Sequence, residues 1–208
     1  WCQRIKDKMQ TLAPVIEQAT VPEIDLDALI AKPEHPKFEL PESLKSAPSP
    51  ELGPIWLLCA SLGGPQAVKA FIDLLPSDIP ATFLYAQHID EGCLDSLVQS
   101  IGRHTDLKMK MAAHGVQFEN GVVNVVPVSH EIEFTENHGI VWQNNEWSGP
   151  YGPSHDQLLK NISEVYGSNC HSIIFSGMGS DGSVGASSIK EVGGTVWAQS
   201  TVSCIQSS

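Results

Sequence analysis

The sequence predicts an α/β fold: a doubly wound, mostly parallel sheet with an antiparallel hairpin insertion, in a Rossmann-like three-layer arrangement. Three observations predict it. Apolar runs of strand length alternate with segments of helical spacing from residue 54 onward. The first run, Ile55–Ala60, is apolar at every position, which suits a strand buried on both faces. Composition also breaks near residue 53: the first 52 residues contain no glycine, and all 17 glycines lie from Gly53 onward.

The elements follow in order. Arg4–Ala19 has helical spacing (Ile5, Met9, Leu12, Val15, Ile16), with Pro14 bending or ending it. Residues 20–51 carry six prolines and seven acids against three lysines, with too few large apolar groups to offset ordering entropy. Residues 1–53 are therefore expected to be a helix and an acidic, Pro-rich linker, and 54–208 the folded domain. In that domain Ile55–Ala60 is a strand, Gln66–Leu75 a helix, Ala81–Ala86 a strand, Cys93–Arg103 a helix and Lys108–Ala112 a short strand. Val122–Val126, Glu131–Thr135 and Ile140–Gln143 leave no room for helices between them and read as antiparallel hairpins. A helix Ser154–Tyr166 with Ser154 as N-cap, a strand His171–Phe175, a helix Val184–Val192 and a strand Thr195–Ala198 complete the set.

Charge and cysteine usage exclude several function classes. Twelve Lys and Arg against twenty-four Asp and Glu give a net charge of −12, the wrong sign for binding a phosphate backbone. No apolar run approaches the roughly 18–20 residues that cross a bilayer, so membrane insertion is not expected. Five widely spaced cysteines with no C-x-x-C fit free thiols in a cytoplasmic protein better than a disulfide scaffold or a zinc site. The chain opens on Trp1 rather than methionine, so a processed or truncated start is expected.

In open parallel sheets ligands bind beyond the carboxyl ends of the strands. Three strands there are followed by Ser61, His88 and the loop that carries Asp181, the three groups of a nucleophile, base and orienter. Each has a plainer explanation: Ser61 as a helix N-cap, His88 as a polar strand end, Asp181 as the cap of a tight turn. Gly63 and Gly64 after Ser61 permit close approach, and the helix N-terminus beyond offers backbone N–H groups for an oxyanion. Gly177–Gly182 spells G-x-G-x-x-G, but Asp181 would sit against a pyrophosphate, and no acid lies after Glu191 to hold a ribose. No metal spacing links the histidines. His104, His114, His138, His155 and His171 are expected on the surface.

Five collinear motifs are similar to those of one family. Ala60-Ser61-Leu62-Gly63-Gly64, Gln87-His88 and Gly177-Met178-Gly179-Ser180-Asp181-Gly182 resemble the catalytic domain of the CheB-type chemotaxis protein-glutamate methylesterases. Pro153-Ser154-His155-Asp156 resembles that family's Pro-Ser-x-Asp, and Gln199 to Cys204 its Gln-x-x-x-Ser-Cys. The resemblance implies a CheB-like fold and a cytoplasmic serine esterase acting on the cytoplasmic helices of methyl-accepting chemoreceptors, in a flagellar or pilus chemosensory system. It releases methanol from glutamate methyl esters, and many members also deamidate glutamine. The resemblance makes Ser61 the nucleophile, His88 the base, Asp181 its orienter and the Met178 amide an oxyanion donor, with Leu62, Gly63, Gly64 and Gly177 in support. It implies no cofactor and no metal, and other chemosensory proteins as further partners. Cys59 and Leu62 stand where the family usually has glycine and threonine. The family's receiver domain does not fit in residues 1–54, and the family continues into a further helix past Ser208. The alternative from another class is a catalytically weak, CheB-like binding or scaffolding protein of a chemosensory array.

Overall fold

The computed structural model describes residues 52–103, 105–201, 203 and 204. The helix read over Arg4–Ala19, the linker 20–51 and His104 lie outside the described residues. Six parallel strands form the main sheet: β1 (Ile55–Ala60), β2 (Thr82–Gln87), β3 (Lys108–Met111), β4 (Val122–Val125), β7 (Cys170–Ile174) and β8 (Val196–Ala198). Their order is β3-β4-β2-β1-β7-β8. A separate antiparallel pair is made of β5 (Ile132–Phe134) and β6 (Ile140–Trp142). The helices are α1 (Gly64–Ile72), α2 (Leu94–Gly102), α3 (His155–Tyr166) and α4 (Ser183–Glu191).

The pleat of the central strands divides the interior into two cores. Trp56, Leu58 and Ala60 of β1 meet Ala67, Val68, Phe71 and Ile72 of α1 and Leu94, Leu97 and Ile101 of α2. Ile55, Leu57 and Cys59 face the opposite way, onto Leu158, Leu159 and Ile162 of α3, Ile189 of α4 and the inner side of the hairpin. Helices thus cover both faces, and each fully buried Leu or Ile contributes about 1.5–3 kcal/mol. The uniform burial of β1 agrees with its unbroken apolar sequence, and β2 is buried throughout with Thr82 and Gln87 as its polar ends.

One strand departs from the expectation. Val122–Val125 is not part of a hairpin but lies inside the main sheet, parallel to β2 on one side and β3 on the other. All four of its residues are buried, a pattern that a half-exposed hairpin strand does not support. The crossover from β3 is made by residues 112–121 without a helix. That segment buries Phe118 in the second core and bridges through Gln117 to Gly139 of the hairpin. No helix among the described residues is long and apolar enough to cross a membrane.

The sheet order sets the site. From β1 the chain moves to β2 on one side and returns later to β7 on the other, so the order reverses between β1 and β7. In open α/β sheets a cleft opens at such a point, beyond the carboxyl ends of the strands.

Candidate active site

Register brings the first two residues together. Ala60 at the end of β1 pairs with Gln87 at the end of β2, so Ser61 and His88 leave the sheet side by side, on strands about 4.8 Å apart. Backbone bonds hold this exit in place: the His88 N–H donates to Ala60 O (3.0 Å) and the Ser61 N–H to Ser176 O (3.1 Å). Gln87 is buried and acts as a brace. Its Nε2 donates to Ser61 O (2.9 Å) and His88 O (3.1 Å), and its Oε1 accepts from the Tyr85 hydroxyl (2.7 Å).

The third residue comes from the glycine-rich loop after β7. A Cβ at Gly177 would stand 2.9 Å from the Ser61 Cβ, so only glycine lets the loop lie against the serine. The Ser176 hydroxyl donates to Leu62 O (3.1 Å), and the Ser176 N–H donates to Gln199 Oε1 (2.8 Å). Gln199 in turn donates to Ser203 O (2.9 Å). The C-terminal motif thus buttresses the loop that carries Asp181.

Asp181 accepts from three donors. His88 Nε2 lies 3.0 Å from Oδ2, the His155 N–H donates to Oδ2 (2.8 Å), and the Asp156 N–H to Oδ1 (2.9 Å). The carboxylate therefore caps the N-terminus of α3 and orients an imidazole at once. Burial opposes its charge, but the His88 bond and the two backbone amides outweigh burial and hold its pKa well below the usual carboxylate range. An ionised carboxylate accepts only, so Nε2 of His88 carries the proton and Nδ1 is the nitrogen left to act as a base.

Ser61 and His88 line one small cavity of about 60 Å³, together with Cys59, His155, Met178 and Asp181. Among the described residues no hydrogen bond joins the Ser61 hydroxyl to the ring. Contacts of this kind commonly tighten only when substrate binds. Outside the cavity a cleft of about 520 Å³ is walled by Ser61, Leu62, His88, Tyr151 and Met178. Met178 is 70% exposed on its rim, and among the described residues nothing accepts from its backbone amide. Leu62 is 54% exposed, and Gly63 takes φ 79° to start α1. Gly64 sits tightly under the turn, where an added Cβ would meet Ala60 Cβ at 2.5 Å.

Two residues of the site, both within the Pro153-Ser154-His155-Asp156 motif, were given no role by the sequence. His155, expected on the surface, is 3% exposed and stacks on His88 with ring centroids 4.0 Å apart and planes 4° from parallel. It occupies the variable place of Pro-Ser-x-Asp, and Ser154 caps its helix, its hydroxyl accepting from the Gln157 N–H (3.4 Å). That cap was the one available signal, because it fixes residue 155 in the first turn of a buried helix end. Asp156, next along, caps the neighbouring helix: its Oδ1 accepts from the N–H groups of Gly182 (2.9 Å) and Gly185 (2.7 Å). Asp156→Ala should lower unfolding free energy by about 1–2 kcal/mol in urea melts, with Asp156→Asn recovering most of it. Wild-type stability in the alanine variant would remove Asp156 from this role.

Burial first, then the neighbouring His88, pushes the His155 pKa down to about 4. Between its ordinary value of 6.5 and that value the unfolded chain binds a proton at residue 155 that the folded chain refuses. Stability from this group therefore falls as pH drops through that window. Between pH 7 and pH 5 wild type should lose about 2 kcal/mol relative to His155→Phe in denaturant titrations. A difference that stays constant with pH would show that the folded protein protonates this ring as readily as the unfolded chain does.

His88, His155 and Asp181 bring three potential ligand atoms within 4.8 Å of one another. The two imidazoles lie flat on each other, so their lone pairs run side by side instead of converging on one ion. Asp181 also already engages Nε2 of His88. The arrangement suits proton transfer better than metal ligation. Cys59, the nearest thiol, is fully buried, and burial, then the charges of Asp181 and Asp156, push its pKa far up. It stays a neutral thiol. The four cysteines among the described residues, Cys59, Cys93, Cys170 and Cys204, are free.

The chain is similar to known proteins. Protein-glutamate methylesterase FrzG of Myxococcus xanthus is 31% identical over 79% of this chain and 49% of its own length. A protein-glutamate methylesterase/protein-glutamine glutaminase of Methanosarcina acetivorans is 35% identical over 70% of this chain and 43% of its own. The chain spans about half the length, or less, of these relatives. The crystal structure of the Thermotoga maritima CheB methylesterase catalytic domain superposes with a TM-score of 0.70 at 29% identity, over 74% of this chain and 83% of that one. The CheB methylesterase family model matches residues 56–208, so the chain belongs to the CheB methylesterase family.

Proposed function

We propose that residues 54–208 form a serine esterase domain that hydrolyses glutamate methyl esters on the cytoplasmic helices of methyl-accepting chemoreceptors. The observation that carries this reading is that Ser61, His88 and Asp181 line one cavity beyond the carboxyl ends of the strands, with His88 bonded to Asp181. His88 Nδ1 takes the proton as Ser61 Oγ attacks the ester carbonyl, and the Met178 amide donates to the oxygen that becomes negative. Leu62, Gly63, Gly64 and Gly177 shape the turn around that oxygen. Collapse of the tetrahedral adduct expels methanol, protonated by His88. Water, deprotonated by the same ring, then frees the glutamate carboxylate from Ser61. The same steps on a glutamine side chain expel ammonia. Asp181 keeps Nδ1 unprotonated and ready. Free thiols at all four described cysteines fit a cytoplasmic setting. Residues 1–53 then precede the catalytic domain in sequence.

The test is methanol release from methylated receptor fragments, paired with labelling by a fluorophosphonate serine probe. Methanol release and labelling that both depend on Ser61 support the esterase. Tight receptor binding with neither would instead favour a scaffolding protein of a chemosensory array.

A further inference from the structure

We infer that His155 is a positioning residue for His88, holding the plane of its ring so that one edge meets Asp181 while the other faces Ser61. The inference rests on the esterase reading for its kinetic consequence, though not for its geometry.

A single hydrogen bond from Nε2 to Asp181 leaves the His88 ring free to rotate about that bond, which would swing Nδ1 out of reach of the serine. A flat neighbour removes this freedom. The His155 ring lies against one face of His88 at 4.0 Å and 4°. Tyr151, centroid 6.0 Å away and tilted 36°, is too distant and too exposed to fix the plane. His155 is itself fixed. It is buried, it opens α3 behind the Ser154 cap, and its N–H donates to Asp181 Oδ2. That same oxygen accepts from His88 Nε2. One carboxylate oxygen thus ties His88 by its ring and His155 by its backbone, and places the two planes in a common frame.

The contact uses the flatness of the His155 ring, whose Nδ1 also lies 3.9 Å from Asp181 Oδ2. Nε2 of His155 is buried without a hydrogen-bond partner, a state that costs free energy and that a stacking role does not require. The depressed pKa keeps the ring uncharged near neutral pH, so His88 can accept a proton without a second cation against its face. Phenylalanine supplies the same flat surface with no orphaned nitrogen; leucine fills similar space without a plane.

The experiment compares wild type, His155→Phe and His155→Leu, each checked for folding by circular dichroism and urea melts. Hydrolysis of a γ-glutamyl methyl ester peptide is resolved into kcat and KM, and the His88 ring tautomer is read from its ¹⁵N–¹H spectrum. The inference predicts that leucine lowers kcat at least about tenfold with little change in KM, as misorientation of a reacting group does. It also predicts that leucine replaces the single Nε2–H tautomer of His88 by a mixture, and that phenylalanine recovers most of the rate and the single tautomer. Two outcomes overturn it: wild-type kcat with an ordered His88 in the leucine variant, or an equal loss in the phenylalanine and leucine variants. Should wild type itself fail to cleave the ester, the esterase reading falls, while the tautomer comparison still decides for or against positioning.

Discussion

The Ser61→Ala protein is expected to release methanol from a γ-glutamyl methyl ester at least about 10⁴-fold more slowly than wild type, because members of a nucleophile–base pair act as a unit. The fold should not notice the change. Ser61 is held through its backbone, by Gln87 on its carbonyl and Ser176 on its amide, and its hydroxyl bonds to no described residue. Alanine keeps the Cβ that packs on Gly177. The unfolding midpoint should therefore match wild type while turnover and probe labelling disappear. A loss of less than tenfold in a correctly folded variant would mean that another group attacks the ester.

Asp181→Asn is expected to damage both activity and stability, which separates it from the serine variant. Three donors converge on two carboxylate oxygens: the His88 ring and the amides of residues 155 and 156. An asparagine has one acceptor oxygen, and its NH₂ must face at least one of these donors. An orphaned donor costs about 1–3 kcal/mol. The amide can also favour the tautomer of His88 that carries its proton on Nδ1, toward the serine. A base already protonated on that side cannot accept, and kcat should fall about 10³–10⁴-fold. Binding of a methylated receptor fragment should change far less, since Asp181 faces the imidazole. Wild-type kcat in this variant would take Asp181 out of the mechanism. Wild-type stability would show that it does not cap α3.

Both variants test a constellation that the sequence proposes. A buried strand declares itself by unbroken apolar sequence, as Ile55–Ala60 does, and the polar residue that follows marks where the strand leaves the core. This placed Ser61 and His88 beyond the carboxyl ends of their strands, and the glycines around Asp181 marked a turn. The same logic misassigned Val122–Val125. Shortness and the lack of an intervening helix suggested a hairpin, although four buried residues in a row carry the signature of an interior parallel strand. Here the crossover is a packed loop, and loop packing leaves no periodic trace.

His155 shows the limit more sharply. In isolation a histidine in the first turn of a helix reads as a polar surface residue. Its burial follows from α3 pointing its N-terminus at the loop between β7 and α4, and its contact with His88 spans 67 residues of chain. His88 and Asp181 are separated by 93 residues. Local propensity fixed which segments became strands and helices and which side chains left them. Which nitrogen of His88 meets a carboxylate, and which ring lies over it, depended on sheet order and on two helices capping each other through Asp156 and Asp181. Those are contacts between distant segments, and their free energy exists only once the chain has closed around them.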